Sequence, residues 1–144
     1  MKCTVIRRFE CLFIIALLAI SASATNLSQV SGSYEVINKT ERGGQARINL
    51  RIHFTNRGSR SLSIRRLMLR DSASARVGAS QACSLLVPAH GSATVTQEFT
   101  VLRTEYASWV HGNRPRLVLK FRAPADPETT MVLRLDHFSN GKEN

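Results

Sequence analysis

The stretch Ala46–Asn56, ARINLRIHFTN, alternates apolar and polar residues from Ala46 to Thr55. Ile48, Leu50, Ile52 and Phe54 fall at one parity, and Asn49, Arg51, His53 and Thr55 at the other. Successive side chains of a strand point to opposite faces, so a period of two buries one set and wets the other. On a helix the same residues would scatter around the axis. NRGS, Asn56 to Ser59, supplies turn-forming residues, and SLSIRRLMLRD follows as a return strand. That return strand changes phase: Leu62 and Ile64 share one parity, Leu67 and Leu69 the other. The slip falls at Arg65-Arg66, where a β-bulge or a crossing between sheets would absorb it.

Further strands are expected at Gly32–Asn38, Ala82–Pro88, Ser92–Leu102, Pro115–Ala123 and Thr130–Phe138, with PADP turning the chain before the last. The expected inward residues are Val95, Phe99 and Val101, then Leu117, Leu119 and Phe121, then Met131, Leu133 and Leu135. About seven strands at this spacing indicate an all-β, antiparallel, immunoglobulin-like β-sandwich. The segments INLRIHFTNRGSRSLSI and LLVPAHGSATVTQEFTV resemble bacterial secreted immunoglobulin-like or fibronectin-III-like domains, including those of adhesion type. The resemblance is one of pattern and covers most of Gly32 to His137. It implies a scaffold, and a scaffold does not set function. The cysteine–tryptophan–cysteine set of antibody domains is absent.

The chain opens with basic Lys2, Arg7 and Arg8, runs through apolar LFIIALLAISA, and reaches the small-residue site Ala22-Ser23-Ala24. These parts in this order indicate a signal peptide at 1–24, cleaved near Ala24, and a single domain at 25–144 that is secreted or periplasmic. The apolar run is too short to span a bilayer, which takes about 20 residues; no transmembrane segment is expected in the mature chain. Without the leader only Cys83 remains, so no internal disulfide can form. In QACSLLVP the thiol reads as a small buried hydrophobe.

The formal charge of +10 becomes +8 once Lys2, Arg7, Arg8 and Glu10 leave, with 17 basic and nine acidic residues remaining. Such a balance favours polyanionic partners. Arg116, Lys120 and Arg122 share parity on one expected outer face, and Arg134 stands outward on the next strand. These four are the candidate ligand-binding residues, with Arg65 or Arg66 joining from the hairpin. Guanidinium groups suit bidentate contact with phosphate, sulfate or carboxylate. The competing reading is a solvated face partly neutralised by Asp136 and Glu98. The expected partners are acidic polysaccharide, anionic lipid or another envelope protein. Nucleic acid is not expected, because no aromatics interleave with the outward cations.

No nucleophile elbow, zinc-protease motif or phosphate loop occurs, so no enzyme and no catalytic residue is expected. A small copper-handling protein using Cys83 and His90 is an alternative, since copper sandwiches combine Cys, His and Met. The spacing does not assemble such a set, and neither metal site nor cofactor is expected. A protein–protein adhesion or assembly module is the other alternative.

TEYASWVHGNRP holds the only Trp, Trp109, three residues after Tyr106. Thr104 is expected to cap one short helical turn near 104–111, with Glu105 at its start and Gly112 at its end. Tyr106 and Trp109 then share a face. Trp109 is expected to plug one end of the sandwich, with Tyr106 partly exposed and its hydroxyl bonded.

Overall fold

The computed structural model describes residues 29–70, 76–123 and 126–138, and the side chains among them except those of 76–79, 123 and 126–128. The expected leader at 1–24 and the Pro124-Ala125 half of the PADP turn lie outside the described residues. Eight strands and one helix follow in order: β1 (Val30–Arg42), β2 (Gln45–Asn56), β3 (Leu62–Arg70), β4 (Arg76–Val87), β5 (Gly91–Leu102), α1 (Arg103–Val110), β6 (Arg116–Ala123), β7 (Asp126–Arg134) and β8 (Asp136–His137). They form two four-stranded sheets, ordered β5-β2-β1-β8 and β4-β3-β6-β7. All pairings are antiparallel except β1 with β8. Among the described residues no helix is long and apolar enough to cross a membrane.

The period of two in β2 is realised along its whole length. Ala46, Ile48, Leu50, Ile52 and Phe54 are fully buried between the sheets, while Arg51 and Thr55 are exposed. They pack with Phe99 and Val101 of β5 and with Leu67, Leu69, Leu117, Leu119 and Phe121 of the second sheet. The phase slip in β3 is a bulge: register shifts between Ile64 and Arg66 against both β4 and β6. It exposes Arg65 and Arg66 together and returns Leu67 to the core.

Several expectations need correction, among them the start of β4, which lies at Arg76 rather than Ala82. β1 continues past Asn38 to Arg42 and turns through Gly43 and Gly44, with φ of 57° and 79°. Paired positive φ values are what a two-residue hairpin turn demands, and glycine meets them without a Cβ clash. The last expected strand, Thr130–Phe138, is divided. β7 pairs with β6, and past buried Leu135 the chain joins the other sheet as β8 beside Ser33 and Tyr34. The count therefore rises from seven strands to eight. Gly32 lies at this crossing, where a Cβ would stand 2.7 Å from Leu133 Cδ2 and 2.8 Å from Leu135 Cδ2. Both leucines are buried, so only hydrogen fits.

α1 carries the chain from the first sheet to the second. Thr104 does not cap it: Leu102 is the N-cap residue and offers no side-chain bond. The Arg103 amide instead donates to Gly44 O at 2.9 Å, tying the helix start to the β1–β2 hairpin. The C-terminal end follows expectation. Gly112 has φ 97°, its amide donates to Trp109 O, and the Asn113 amide donates to Ser108 O, the paired bonds of a Schellman termination.

The helix seats Trp109 against the core with 6% of its surface exposed. Its ring meets Tyr34 and Tyr106 edge-on, with centroids 6.1 and 5.6 Å away. Burial, and then Tyr106, push the Tyr34 phenol above its ordinary pKa. Tyr106 is half-buried as expected, and Lys39 Nζ lies 4.7 Å from its ring centroid.

Cys83 is a free, half-buried thiol on β4, packed against the core. Burial pushes its pKa up, which lowers the thiolate fraction at neutral pH. Native protein should therefore react with a disulfide reagent at pH 7 well below the rate of denatured protein. Equal rates would show an open, ionisable thiol.

A candidate anion-binding face

Each of the four outward cations expected from the sequence lies on the outer face of the second sheet, and the register says how they align. Arg116 stands directly opposite Arg134 on β7 and Arg70 on β3, and Arg70 opposite Arg76 on β4. One rung of four arginine positions thus crosses the whole sheet, each about 4.8 Å from the next strand. Lys120 stands opposite Arg66, forming a second rung, and Arg122 opposite Ser63. Arg122 and Arg134 are exposed; Arg116 and Lys120 are half-buried.

Between the two rungs runs an apolar one, Met68–Val118–Val132. Val118 points outward yet is only 2% exposed, while Val132 is 54% exposed. Arg116 and Lys120 stand two residues to either side of Val118, and stems of that length cover apolar surface while the charged heads stay in water. Arg70 is part of this packing: its Nε is shielded from solvent and has no hydrogen-bond partner among the described residues.

The carboxylates with described side chains are placed elsewhere; Asp126 and Glu128 of β7 are outside that set. Every acidic residue with a described side chain is engaged on the first sheet, the helix or the connecting loops. Glu35 meets Arg51 at 3.0 Å, Glu98 meets Arg47 at 3.5 Å, and Glu41 meets Lys39 at 2.8 Å and Arg103 at 3.1 Å. Asp136 meets Arg114 at 2.6 Å, and Glu105 accepts from Trp109 Nε1 at 3.0 Å. Glu98 lies on the opposite sheet and Asp136 on β8, so neither of the two neutralising residues considered from the sequence stands on the cationic face. The first sheet balances its own charge, and the second does so less.

Sequence parity missed Arg70 and Arg76. The sign for Arg70 was available, because Arg66, Met68 and Arg70 alternate after the bulge. That this row would lie beside Arg116 depends on which strands pair. Arg114, in the loop after α1, was missed because no alternation extends there. It lines an open cavity of about 220 Å³ with Gly112, Asn113, Arg116 and Arg134.

The copper set is not assembled among the described residues. Cys83 is half-buried on β4, and His90 is exposed in the following turn at φ 49°. No three of His, Cys, Asp and Glu come together there to hold a metal. His53 is outward as expected, with Nδ1 2.9 Å from Thr94 Oγ1 and its ring 4.7 Å from that of Phe138.

No protein-family model matches the chain, and no curated protein does. Similar solved structures include the X-ray structure of a Northeast Structural Genomics Consortium target, at 8% identity and TM-score 0.44, covering 74% of this chain and 83% of that one. A crystal structure of a protein from Archaeoglobus fulgidus is similar at 9% identity and TM-score 0.37, covering 74% of this chain and 94% of that one. Likeness of this degree carries no functional argument.

Proposed function

We propose that this is an exported, non-enzymatic, immunoglobulin-like binding module whose second-sheet face holds an acidic polysaccharide. The observation that carries the reading is the segregation of charge: cations line up in rungs on one face while the described carboxylates are engaged elsewhere. The basic, apolar and small-residue order of residues 1–24 supports export. Connections that cross between two antiparallel-rich sheets, β2 to β3 and β5 to β6, support the immunoglobulin-like reading.

A polysaccharide fits this face better than a lipid surface does. Membrane insertion needs a contiguous protruding apolar patch; here exposed Val132 and Leu86 stand on opposite edge strands, and the central Val118 is covered. Nucleic acid fits less well, because the described outer residues of β3, β6 and β7 include no aromatic on which bases could stack. Rows of guanidinium at strand spacing suit an extended chain with repeated carboxylate or sulfate groups.

The test is retention of the mature chain on an immobilised acidic polysaccharide, with the salt dependence measured. The variant Arg116→Glu/Lys120→Glu/Arg122→Glu/Arg134→Glu should bind about a hundredfold more weakly, at less than 1 kcal/mol per exposed contact. Binding by the folded variant equal to that of the native chain would end the proposal. Binding to anionic vesicles alone would replace polysaccharide by lipid.

A further inference from the structure

The cavity at the end of the cationic face has its own chemistry. Its lining brings together Arg114, Arg116 and Arg134 with Asn113 and Gly112. Arg116 and Arg134 are register partners on neighbouring strands. Both are arginines, so the register sets two guanidinium-bearing side chains side by side at this end of the outer face. Arg114 arrives from the loop and is steadied by Asp136, whose Oδ1 accepts from Nη1 at 2.6 Å. A guanidinium has five N–H groups, so this bond leaves others for a ligand. The backbone amides of the loop are committed: those of Gly112 and Asn113 donate to Trp109 O and Ser108 O. The donors facing the cavity are therefore side chains.

We infer that the Arg114–Arg116–Arg134 cavity is a subsite for a tetrahedral oxyanion ester, a phosphate or sulfate group carried by the ligand of the cationic face. The inference rests on the reading of that face as an anion-binding surface and adds the class of group that anchors there. Three guanidinium forks approach from two strands and a loop. A carboxylate presents two oxygens in one plane and satisfies one fork well. A phosphate or sulfate ester presents three terminal oxygens in a pyramid, one toward each fork. The volume of about 220 Å³ admits such a group with some of its water, each molecule of which fills about 30 Å³. The rest of the ligand then runs along the rungs toward Arg66 and Lys120.

The experiment titrates the mature chain with inorganic phosphate, sulfate and acetate, following backbone amide resonances. Phosphate and sulfate should give saturable shifts centred on residues 112–116 and 134, with acetate at least tenfold weaker. Arg114→Gln/Arg134→Gln should abolish the phosphate shifts. Equal, non-saturating responses to all three anions, or phosphate binding unchanged in that variant, would overturn the subsite. A polyuronate, which lacks ester groups, separates the two readings. If polyuronate binding is lost in Arg66→Glu/Lys120→Glu while phosphate gives no site, the face stands and the subsite falls. If neither phosphate nor polyuronate binds, both fall. Phosphorylated oligosaccharide and vesicles containing phosphatidic acid, compared on the native chain, identify the source of the ester. Preference for either supports the subsite, and preference for the vesicles moves its ligand to lipid.

Discussion

Trp109→Ala should lower the unfolding free energy by about 3–5 kcal/mol, the usual cost of removing a large buried aromatic ring. A domain of this size holds only about 5–15 kcal/mol in all, so the variant should be largely unfolded or close to it at 37 °C. The ring closes the end of the sandwich where α1 passes between sheets. Deletion would leave a cavity between Tyr34 and Tyr106, which meet the ring edge-on at 6.1 and 5.6 Å. It would also strand Glu105, whose carboxylate accepts from the indole Nε1–H at 3.0 Å. No disulfide is available to hold the ends together, since Cys83 is free. Denaturant unfolding measures the loss as a shift in midpoint at constant slope. Trp109→Phe separates packing from the hydrogen bond: it keeps an aromatic ring, loses the donor, and should cost about 1–2 kcal/mol. If Trp109→Ala stays within 1 kcal/mol of the native chain, the ring is no part of the core.

The second large effect belongs to Asn56→Ala, expected to cost about 3 kcal/mol. Asn56 ends β2 at the inward parity and is 3% exposed, the one buried polar side chain among the described residues. It is tolerated there because all its groups are used. Nδ2 donates to Arg60 O at 2.8 Å and to Pro88 O at 3.2 Å, and Oδ1 accepts from the Gly58 amide at 2.9 Å. One side chain thus joins the β2–β3 connection to the β4–β5 connection. His90 adds a backbone bond between the same two turns, its amide donating to Gly58 O at 3.0 Å. Removing Asn56 forfeits three hydrogen bonds worth about 1 kcal/mol each and orphans a buried amide. Asn56→Asp isolates the donor side: it keeps the acceptor for Gly58 but loses both Nδ2 bonds, and it should also destabilise. Amide exchange at Gly58 and His90 should speed up in both variants. Unchanged exchange there would show that the turns are held by other means.

The reach of the sequence differs between these two sites. Trp109 was legible as a plug because its neighbours, Tyr106 at i−3 and Gly112 at the helix end, are local, and helix geometry alone puts the aromatics on one face. Asn56 was read only as a turn residue. Its role depends on Pro88, 32 residues away, and nothing in NRGS indicates that partner. Thr104 has the side chain of an N-cap, but the cap falls two residues earlier at Leu102, and the Arg103 amide has a tertiary acceptor in Gly44.

Parity along each strand is a covalent property, since alternate side chains must face opposite ways. For that reason the sequence alone determined the buried set of β2, the inward leucines of β6 and the place of the phase slip at Arg65-Arg66, while the pairing on both sides made that slip a bulge rather than a crossing between sheets. The outward direction of Arg116, Lys120, Arg122 and Arg134 was determined in the same way. Which strands become neighbours is decided by pairing between segments far apart in the chain, and no local period carries that information. The tertiary structure alone therefore set Arg70 beside Arg116 and Arg116 beside Arg134. It moved Asp136 onto the other sheet by dividing the last strand, and it brought Arg114 to the same cavity. Scattered arginines became a rung of cations only when hydrogen bonding between strands fixed their register.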